Sequence, residues 1–135
     1  MPRSRSAKTR AAAGKPEGGR RSIAEGFGRR AEMLAAWYLR LKGYRILAQR
    51  VRTPVGEIDL VARRGRTTAF VEVKARSGRT PLETALGQVN TARLARAAAL
   101  YVARHPDLAA TDLRFDVILL APFTWPRHVM NAFQT

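Results

Sequence analysis

The hydrophobic positions along the chain predict a helix followed by three strands. Between residues 28 and 42, large apolar side chains recur at helical spacing, and Gly43 stands where a left-handed C-terminal cap is expected. That apolar face consists of Leu34, Tyr38 and Leu41. Three strand-forming segments follow, YRILAQRVR, EIDLVARR and TTAFVEVKAR, with turns predicted at residues 53–56 and 65–66.

A second helix and another strand complete the pattern. The alanine-rich stretch from Pro81 to Arg104 predicts one long helix that ends at His105. Its apolar face consists of Leu86, Val89, Leu94, Ala97, Leu100 and Tyr101. RFDVILLAP has the continuous apolar character of a strand buried on both faces, and HVMNAF fits either a last strand or a short helical turn. The order αβββαβ predicts an α/β protein with a mixed sheet flanked by helices.

Composition divides the chain into an arm and one domain. Residues 1–22 have almost no large apolar side chains, so we expect a disordered basic arm. Three interpretations of the arm remain open: a transit peptide, a nonspecific phosphate-binding arm, and an extension without function. Residues 23–135 are long enough for a single domain, and no apolar run is long enough to predict a membrane span.

The charge of the chain favours a polyanionic partner. There are 25 Lys and Arg residues against 10 Asp and Glu, a formal net charge of +15. We therefore expect nucleic-acid binding, with Arg63, Arg76 and Arg79 contacting phosphates; a merely solubilising surface is the alternative. Cysteine is absent, which excludes disulfides, thiolate catalysis and cysteine-ligated zinc and is compatible with the cytoplasmic location that we expect.

The hairpin between the second and third strands predicts an opposed pair of acids. A two-residue loop with Gly65 first fits a type II′ turn, and this register sets Asp59 opposite Glu72 and Glu57 opposite Lys74. Strand alternation places Ile58 and Leu60 on one apolar face. The other face carries Glu57, Asp59, Val61, Phe70, Glu72 and Lys74.

Two interpretations of this opposed pair remain open. Like charges opposite one another destabilise a sheet, and a divalent cation between Asp59 and Glu72 would remove the repulsion. Oxygen ligands suit Mg²⁺ or Mn²⁺, and Lys74 on the same face would reach an attacking water or a phosphate oxygen. The alternative is a surface ion ladder in which Glu57 pairs with Lys74 and the other two acids face arginines.

Asp59 followed by Glu72-Val73-Lys74 resembles the PD-(D/E)xK nuclease core. Along residues 26–133 the chain is similar to the YraN-like family of uncharacterised bacterial proteins; the matching segments are GRRAEMLAAWYLRLKGYRIL, GEIDLVA, FVEVKAR, RFDVI and HVMNAF. This resemblance implies a restriction-endonuclease-like three-layer fold near that of archaeal Holliday-junction resolvases. It also implies a metal-dependent nuclease acting on DNA in preference to RNA, including branched or structured DNA, and working as a homodimer. The alternative is a non-catalytic nucleic-acid-binding module that retains the fold.

The same resemblance implies roles for individual residues. Asp59 and Glu72 would be metal ligands, joined by the Val73 carbonyl, and Lys74 would be the catalytic lysine. Glu32 on the first helix matches an acid that approaches the metal in resolvase-like members. Glu57 matches the GEID segment as an accessory residue. This chain has Asn90 where relatives often carry a lysine, and Gln88 nearby is a second accessory candidate.

Other polar and aromatic residues are predicted to have structural roles. We expect Asp116 to form a salt bridge with Arg114 rather than to take part in catalysis. His105 and His128 are far apart in the sequence, and we assign neither to a site. Trp125 beside Pro126 has two interpretations, base stacking and packing, and we expect packing.

Overall fold

The computed structural model describes residues 28–76 and 81–134. The described residues from Ala31 onward belong to one compact unit. The predicted arm at residues 1–22 and the predicted phosphate contact Arg79 lie outside the described residues. The elements are α1 (28–41), β1 (Arg45–Thr53), β2 (Gly56–Arg64), β3 (Thr67–Ala75), α2 (Leu82–Gly87), α3 (Thr91–Arg104), a 3₁₀ helix (Pro106–Ala110), β4 (Asp112–Leu120) and β5 (Arg127–Val129).

Helix α1 ends in the cap that Gly43 predicts. Gly43 has a φ of +91°, its N–H donates to the Arg40 carbonyl at 3.0 Å, and the Tyr44 N–H donates to the Leu39 carbonyl at 2.9 Å. These two bonds form a Schellman motif, which satisfies carbonyls that the helix end leaves without partners.

The face that α1 buries differs from the predicted one. Leu34 and Leu41, two of the three residues of the apolar face seen in the sequence, are exposed, so that face is not the one that packs on the sheet. The buried residues are Ala31, Ala35, Ala36 and Leu39. Alanine at three of these four positions lets the helix backbone approach the sheet closely, and the larger apolar side chains are left on the outer face.

The strands form one mixed sheet in the order β1-β2-β3-β4-β5. Neighbours pair antiparallel except β3 and β4, which are parallel and joined through the helices α2 and α3. A parallel pair needs such a crossover because the chain must return to the same end of the sheet. The segment HVMNAF, which fitted two alternatives, contributes to the short strand β5.

Two apolar clusters lie on opposite faces of the sheet and make three layers. On one face, residues of α1 pack against Leu60, Ala69, Val71 and Ile118. On the other face, residues of α3 pack against Val61, Phe70 and Phe115. The predicted α/β architecture with a mixed sheet flanked by helices is therefore confirmed.

The β1–β2 ribbon is irregular beside the predicted site. The pairing shifts by one residue between Ile46 and Ala48, and Arg50 has a φ of +55°, which is uncommon for a residue other than glycine. Ile58 packs with the α3-side cluster and not with Leu60, so its predicted face was wrong. The cause is that alternation holds only along regular extended backbone, and two-stranded ribbons twist more strongly than wide sheets.

The predicted single helix over residues 81–104 is two helices. The N–H groups of Gln88 and Val89 donate to the carbonyls three residues earlier, those of Ala85 and Leu86, at 3.2 Å each. Helix α3 begins only after Asn90. The Asn90 side chain accepts the Arg93 N–H at 3.1 Å as an N-cap. A good capping residue that follows closely on a glycine interrupts a helix that alanine content alone would continue. Within the described residues, no helix has both the length and the apolar character to cross a membrane.

Candidate active site

The hairpin from β2 to β3 has the predicted register. Leu60 pairs with Val71, and Arg64 pairs with Thr67 across the loop. Gly65 has a φ of +61°, as the first loop position of a type II′ turn requires. The next position beyond the Leu60–Val71 pair sets Asp59 beside Glu72, which brings the two predicted acids to adjacent strands.

The side chain of Asp59 accepts a backbone hydrogen bond from β3, in the place that a backbone carbonyl would normally take. Its Oδ2 accepts the backbone N–H of Val73 at 2.8 Å. The N–H and C=O of one residue in an extended strand point toward the same neighbouring strand, so the Val73 carbonyl also faces β2. The Asp59 carboxylate and this carbonyl therefore both lie between β2 and β3.

The carboxyl group of Asp59 is held in an unfavourable electrostatic environment. Burial, and next the negative charge of Glu72, raise the pKa of Asp59 from 3.8 to about 7, while the Val73 N–H acts in the opposite direction. Glu32 also raises the pKa of Asp59, which shows that its carboxylate lies within electrostatic reach. A group with such a pKa beside a like charge is typical of functional sites.

Lys74 forms an ion pair with Glu72. Its Nζ lies 3.1 Å from Glu72 Oε2, and each side chain is 20% exposed. In the sequence-based ion ladder Lys74 paired with Glu57; instead Glu57 is exposed and lies 3.8 Å from Arg52 Nε. Lys74 therefore belongs to the Asp59–Glu72 group.

Glu32 reaches the same region but is held by an arginine. Glu32 Oε1 accepts a hydrogen bond from Arg50 Nε at 3.1 Å, and this bond, with the charge of Glu32, raises the pKa of Arg50. The pairing of Gln49 with Leu60 and of Val51 with Ile58 sets Arg50 across from Asp59. Sequence reasoning did not select Arg50, whose positive φ has no sequence signal.

The carboxylates do not form a complete ligand shell from side chains alone. Among the described residues, no three His, Cys, Asp or Glu side chains come together as a group that could hold a metal. The donors that do converge are the carboxylates of Asp59 and Glu72, with the Val73 carbonyl facing the same strand. This set fits a hard divalent cation such as Mg²⁺, which often takes one or two protein carboxylates and completes its shell with water and phosphate.

An open cavity of about 280 Å³ lies in front of these residues. It is lined by Glu57, Asp59, Glu72, Lys74, Gln88, Asn90, Arg93 and Leu94. Both predicted accessory residues, Glu57 and Gln88, are thus at the cavity, whereas Glu32 is not part of its lining. Gln88 Oε1 also accepts hydrogen bonds from Arg76 Nε at 2.9 Å and Nη2 at 2.6 Å.

Asn90 and Arg93 are cavity residues that sequence reasoning did not assign. Asn90 had a detectable signal, since asparagine is a preferred N-cap. Arg93 had no sequence signal, because its position depends on the packing of α3 against Gly56. A Cβ atom added at Gly56 would lie only 2.9 Å from Arg93 Cγ. The glycine of the GEID segment thus brings an arginine to the cavity.

The two predicted phosphate contacts that the structure describes, Arg63 and Arg76, are not in one place. Arg76 lies at the end of β3 beside the cavity, through its bonds to Gln88. Arg63 is near the hairpin loop at the other end of β2, where its Nε donates to the Gly65 carbonyl at 3.1 Å. Arg63 also lines a second cavity with Arg45 and Arg64, away from the acids.

Asp116 is the centre of a buried ion network. Arg114 donates to both Asp116 oxygens at 2.8 Å, which confirms the predicted salt bridge. His128 Nε2 lies 2.8 Å from Asp116 Oδ2, and the Asn131 N–H donates to Oδ1 at 3.0 Å. Register places Asp116 beside Val71, on the α1 side of the sheet and away from the cavity. His128 is therefore a structural residue that its position in the sequence did not reveal.

Trp125 does not pack against the domain. Its side chain is 77% exposed, so the expectation of packing was wrong. It lies in the short connection between β4 and β5, where Pro122 and Pro126 interrupt strand pairing and few residues are available to cover it.

Fold and site together define an α/β protein with a mixed five-stranded sheet, in which three carboxylates and a lysine are among the residues that line an open cavity. The chain belongs to the uncharacterised protein family UPF0102, whose family model matches residues 31–120. This is the YraN-like family that the sequence motifs indicated.

Curated relatives match most of the chain. A UPF0102 protein of Parvibaculum lavamentivorans is 54% identical over 107 residues, which is 79% of this chain and 80% of the relative. UPF0102 proteins of Methylorubrum extorquens and Erythrobacter litoralis are 51% and 53% identical over 117 and 115 residues. Those matches cover 87% and 85% of this chain, and 91% and 98% of the relatives.

Proposed function

We propose that this protein is a Mg²⁺- or Mn²⁺-dependent nuclease that cleaves DNA phosphodiesters, including branched or structured DNA. The observation that carries the proposal is the group formed by Asp59, Glu72 and Lys74 at one cavity. In a chain of net charge +15, Asp59 and Glu72 are held beside each other, and burial together with the charge of Glu72 raises the pKa of Asp59. The burial and repulsion of these two carboxylates are unfavourable, and a cation that binds between them together with a phosphate would offset both.

The residues of the cavity have distinct roles in this proposal. When bound, the divalent cation supplies positive charge to the phosphate and lowers the pKa of water. Asp59 and Glu72 hold the cation, and the Val73 N–H orients the Asp59 carboxylate. Lys74 Nζ, 3.1 Å from Glu72, is placed to hold an attacking water and to stabilise charge that develops on the phosphate oxygens.

Glu32 and the arginines support this centre. Arg50 holds Glu32 within electrostatic reach of Asp59, and Glu32 assists at the metal if it leaves Arg50. Arg76 and Arg93 at the cavity, with Arg63 and Arg79, provide contacts to DNA phosphates. We further propose that the protein acts as a homodimer, because cutting two strands of a branched substrate needs two such centres. We also propose that it acts in the cytoplasm.

Cleavage assays test the proposal directly. Single-stranded, duplex and four-way-junction DNA, and RNA, are incubated with Mg²⁺, Mn²⁺ or chelator. We expect DNA cleavage that chelator stops and that Glu72→Gln and Lys74→Ala each abolish, while Glu83→Gln, at an exposed acid of α2, has no effect. Cleavage that persists in both site variants contradicts this site. Sedimentation of the full chain tests the dimer.

A non-catalytic DNA-binding module is the second candidate. The observation that favours it is that the charges of the site are already partly neutralised, with Lys74 on Glu72 and Arg50 on Glu32. Such a protein binds DNA through its basic surface without cutting it. Salt-dependent binding to DNA, together with no cleavage under either metal, supports the module over the nuclease.

A further inference from the structure

The connection between β4 and β5 presents two large aromatic side chains to solvent. Phe123 is fully exposed, at 107% of its reference area, and Trp125 is 77% exposed. Aromatic side chains carry a large apolar surface whose burial is favourable, so two exposed rings separated by one residue indicate a surface that binds something.

The backbone of this connection holds the rings outward. Phe123 has a φ of +62°, a conformation that bulky residues rarely adopt. Pro122 and Pro126 restrict the chain on either side, and Thr124 Oγ1 donates to the Ala121 carbonyl at 3.2 Å. An unfavourable backbone angle that directs a ring into solvent is a feature of binding sites more than of loops without function.

The aromatic rings lie at the same end of the sheet as Lys74. Leu119 pairs with Lys74 on one side and with Arg127 on the other, so β4 ends one residue beyond the row of Lys74 and the connection follows. The Arg76 N–H donates to the Leu120 carbonyl at 2.9 Å and ties the two strand ends together. From strand spacings, Trp125 is roughly 10–15 Å from Lys74.

The charges around the rings favour an anionic partner with flat apolar faces. Asp116 is the last acid of the sequence, so residues 117–135 contain none. Arg127 is exposed two residues after Trp125, and Arg76 lies across the strand end. Unpaired nucleobases on a phosphate backbone have this combination of an apolar face and negative charge, and they stack on aromatic side chains.

We propose that Phe123 and Trp125 stack on unpaired DNA bases a few nucleotides from the phosphate at Glu72 and Lys74. The inference rests on the proposed nuclease function and deepens it: the substrate has a single-stranded or splayed segment next to the cleaved bond. A continuous duplex keeps its bases stacked on one another and gives the two rings nothing to contact.

Binding without metal tests this inference independently of cleavage. The full chain is titrated in chelator with a single-stranded oligonucleotide, a forked duplex and a fully paired duplex. We expect Phe123→Ala and Trp125→Ala each to weaken binding of the first two about tenfold and of the paired duplex less than about twofold. Trp37→Ala removes an equally large exposed ring from α1 and serves as the matched control.

Tryptophan fluorescence gives a second measurement. The chain has two tryptophans, so Trp37→Phe leaves Trp125 as the only one. Single-stranded DNA is expected to quench its emission, whereas the paired duplex has little effect. Equal losses of affinity on all three DNAs, or no loss on any, overturn the inference. A dimer that Trp125→Ala dissociates also overturns the inference, because the aromatic side chains would then bind a second copy of the chain and not DNA.

The outcomes for the two proposals are separable. If neither metal supports cleavage but the aromatic variants still bind single-stranded and forked DNA more weakly and paired duplex as before, the nuclease proposal fails and the stacking inference stands. If the protein cuts DNA and the aromatic variants cut forked and paired substrates at wild-type rates, the stacking inference fails and the nuclease proposal stands.

Discussion

Lys74 Nζ lies 3.1 Å from Glu72 Oε2, although the two residues belong to the same strand, two positions apart. Side chains at this spacing share one face of a sheet, but their Cα atoms are roughly 7 Å apart, so both side chains must lean toward each other. Lys74 therefore places a positive charge beside the two acids, while burial and the negative charge of Glu72 raise the pKa of Asp59.

Replacing Lys74 is expected to separate catalysis from binding. Lys74→Ala removes the cation next to the proposed phosphate position, and we expect the cleavage rate to fall at least about a hundredfold. DNA affinity changes little, because many other basic residues contribute to binding. Single-turnover cleavage and chelator-arrested binding measure the two effects. Arg52→Ala, at an exposed cation on β1, is the matched control; an equal fall in that variant contradicts a specific role for Lys74.

The pKa of Asp59 predicts a pH dependence of stability in metal-free protein. The folded protein keeps a proton on Asp59 up to about pH 7, whereas the unfolded chain loses it near 3.8. The folded state binds more protons between these values, so the free energy of unfolding falls as pH rises through this window. Asp59→Asn has no such proton and can still accept the Val73 N–H, so we expect a flatter pH profile and higher stability than wild type at pH 8.

Denaturant unfolding from pH 4 to pH 8 in chelator measures this difference, with Glu83→Gln as a control that keeps the wild-type slope. Added Mg²⁺ is expected to stabilise wild type above pH 7 and to have no effect on Asp59→Asn. Parallel profiles for wild type and Asp59→Asn contradict the electrostatic description of the site.

Gly56 is expected to tolerate no side chain. A Cβ atom there lies 2.9 Å from Arg93 Cγ and 3.2 Å from the Arg93 carbonyl oxygen. Gly56→Ala therefore pushes α3 away from β2, and we expect a loss of about 1–3 kcal/mol in the free energy of unfolding.

Gly87→Ala is the matched control for this substitution. Its Cβ meets nothing within 4 Å, and alanine favours a helix, so stability stays unchanged or rises by up to about 1 kcal/mol. Adding Arg93→Ala to Gly56→Ala removes one of the two close contacts and is expected to cost less than the sum of the single changes. Strict additivity would show that Arg93 does not pack on Gly56.

Asp116 is expected to act in stability and not in catalysis. Asp116→Ala leaves Arg114 and His128 without their shared partner, so we expect a loss of about 3–5 kcal/mol. Hydrogen bonds from His128 and Arg114 outweigh burial and lower the pKa of Asp116, so its contribution is lost only in strong acid, below its ordinary pKa. Thermal unfolding measures the loss, and Asp112→Ala, at an exposed acid of the same strand, is the control. Cleavage per folded molecule stays at the wild-type level; a selective loss of cleavage would place Asp116 in the active site.

Local pattern was sufficient to predict the strands and the central pair of acids. Gly65 restricts the hairpin loop to a turn that sets the register, and that turn alone brings together partners on the two strands that it joins. The proximity of Asp59 to Glu72 and the position of Lys74 follow from this register and from alternation. The break in the second long helix was also encoded locally, at Gly87 and Asn90, but alanine content concealed it.

Long-range contacts decided the rest of the site. Arg50 holds Glu32 across 18 positions of sequence, and Arg93 reaches the cavity because α3 packs on Gly56. His128 joins Asp116 only where β5 pairs with β4, and Trp125 is exposed because its connection leaves the sheet. Residues that are near in sequence share a turn or a strand, so their geometry is predictable from spacing. The relative position of distant segments depends on the packing of whole elements, which only the folded chain specifies.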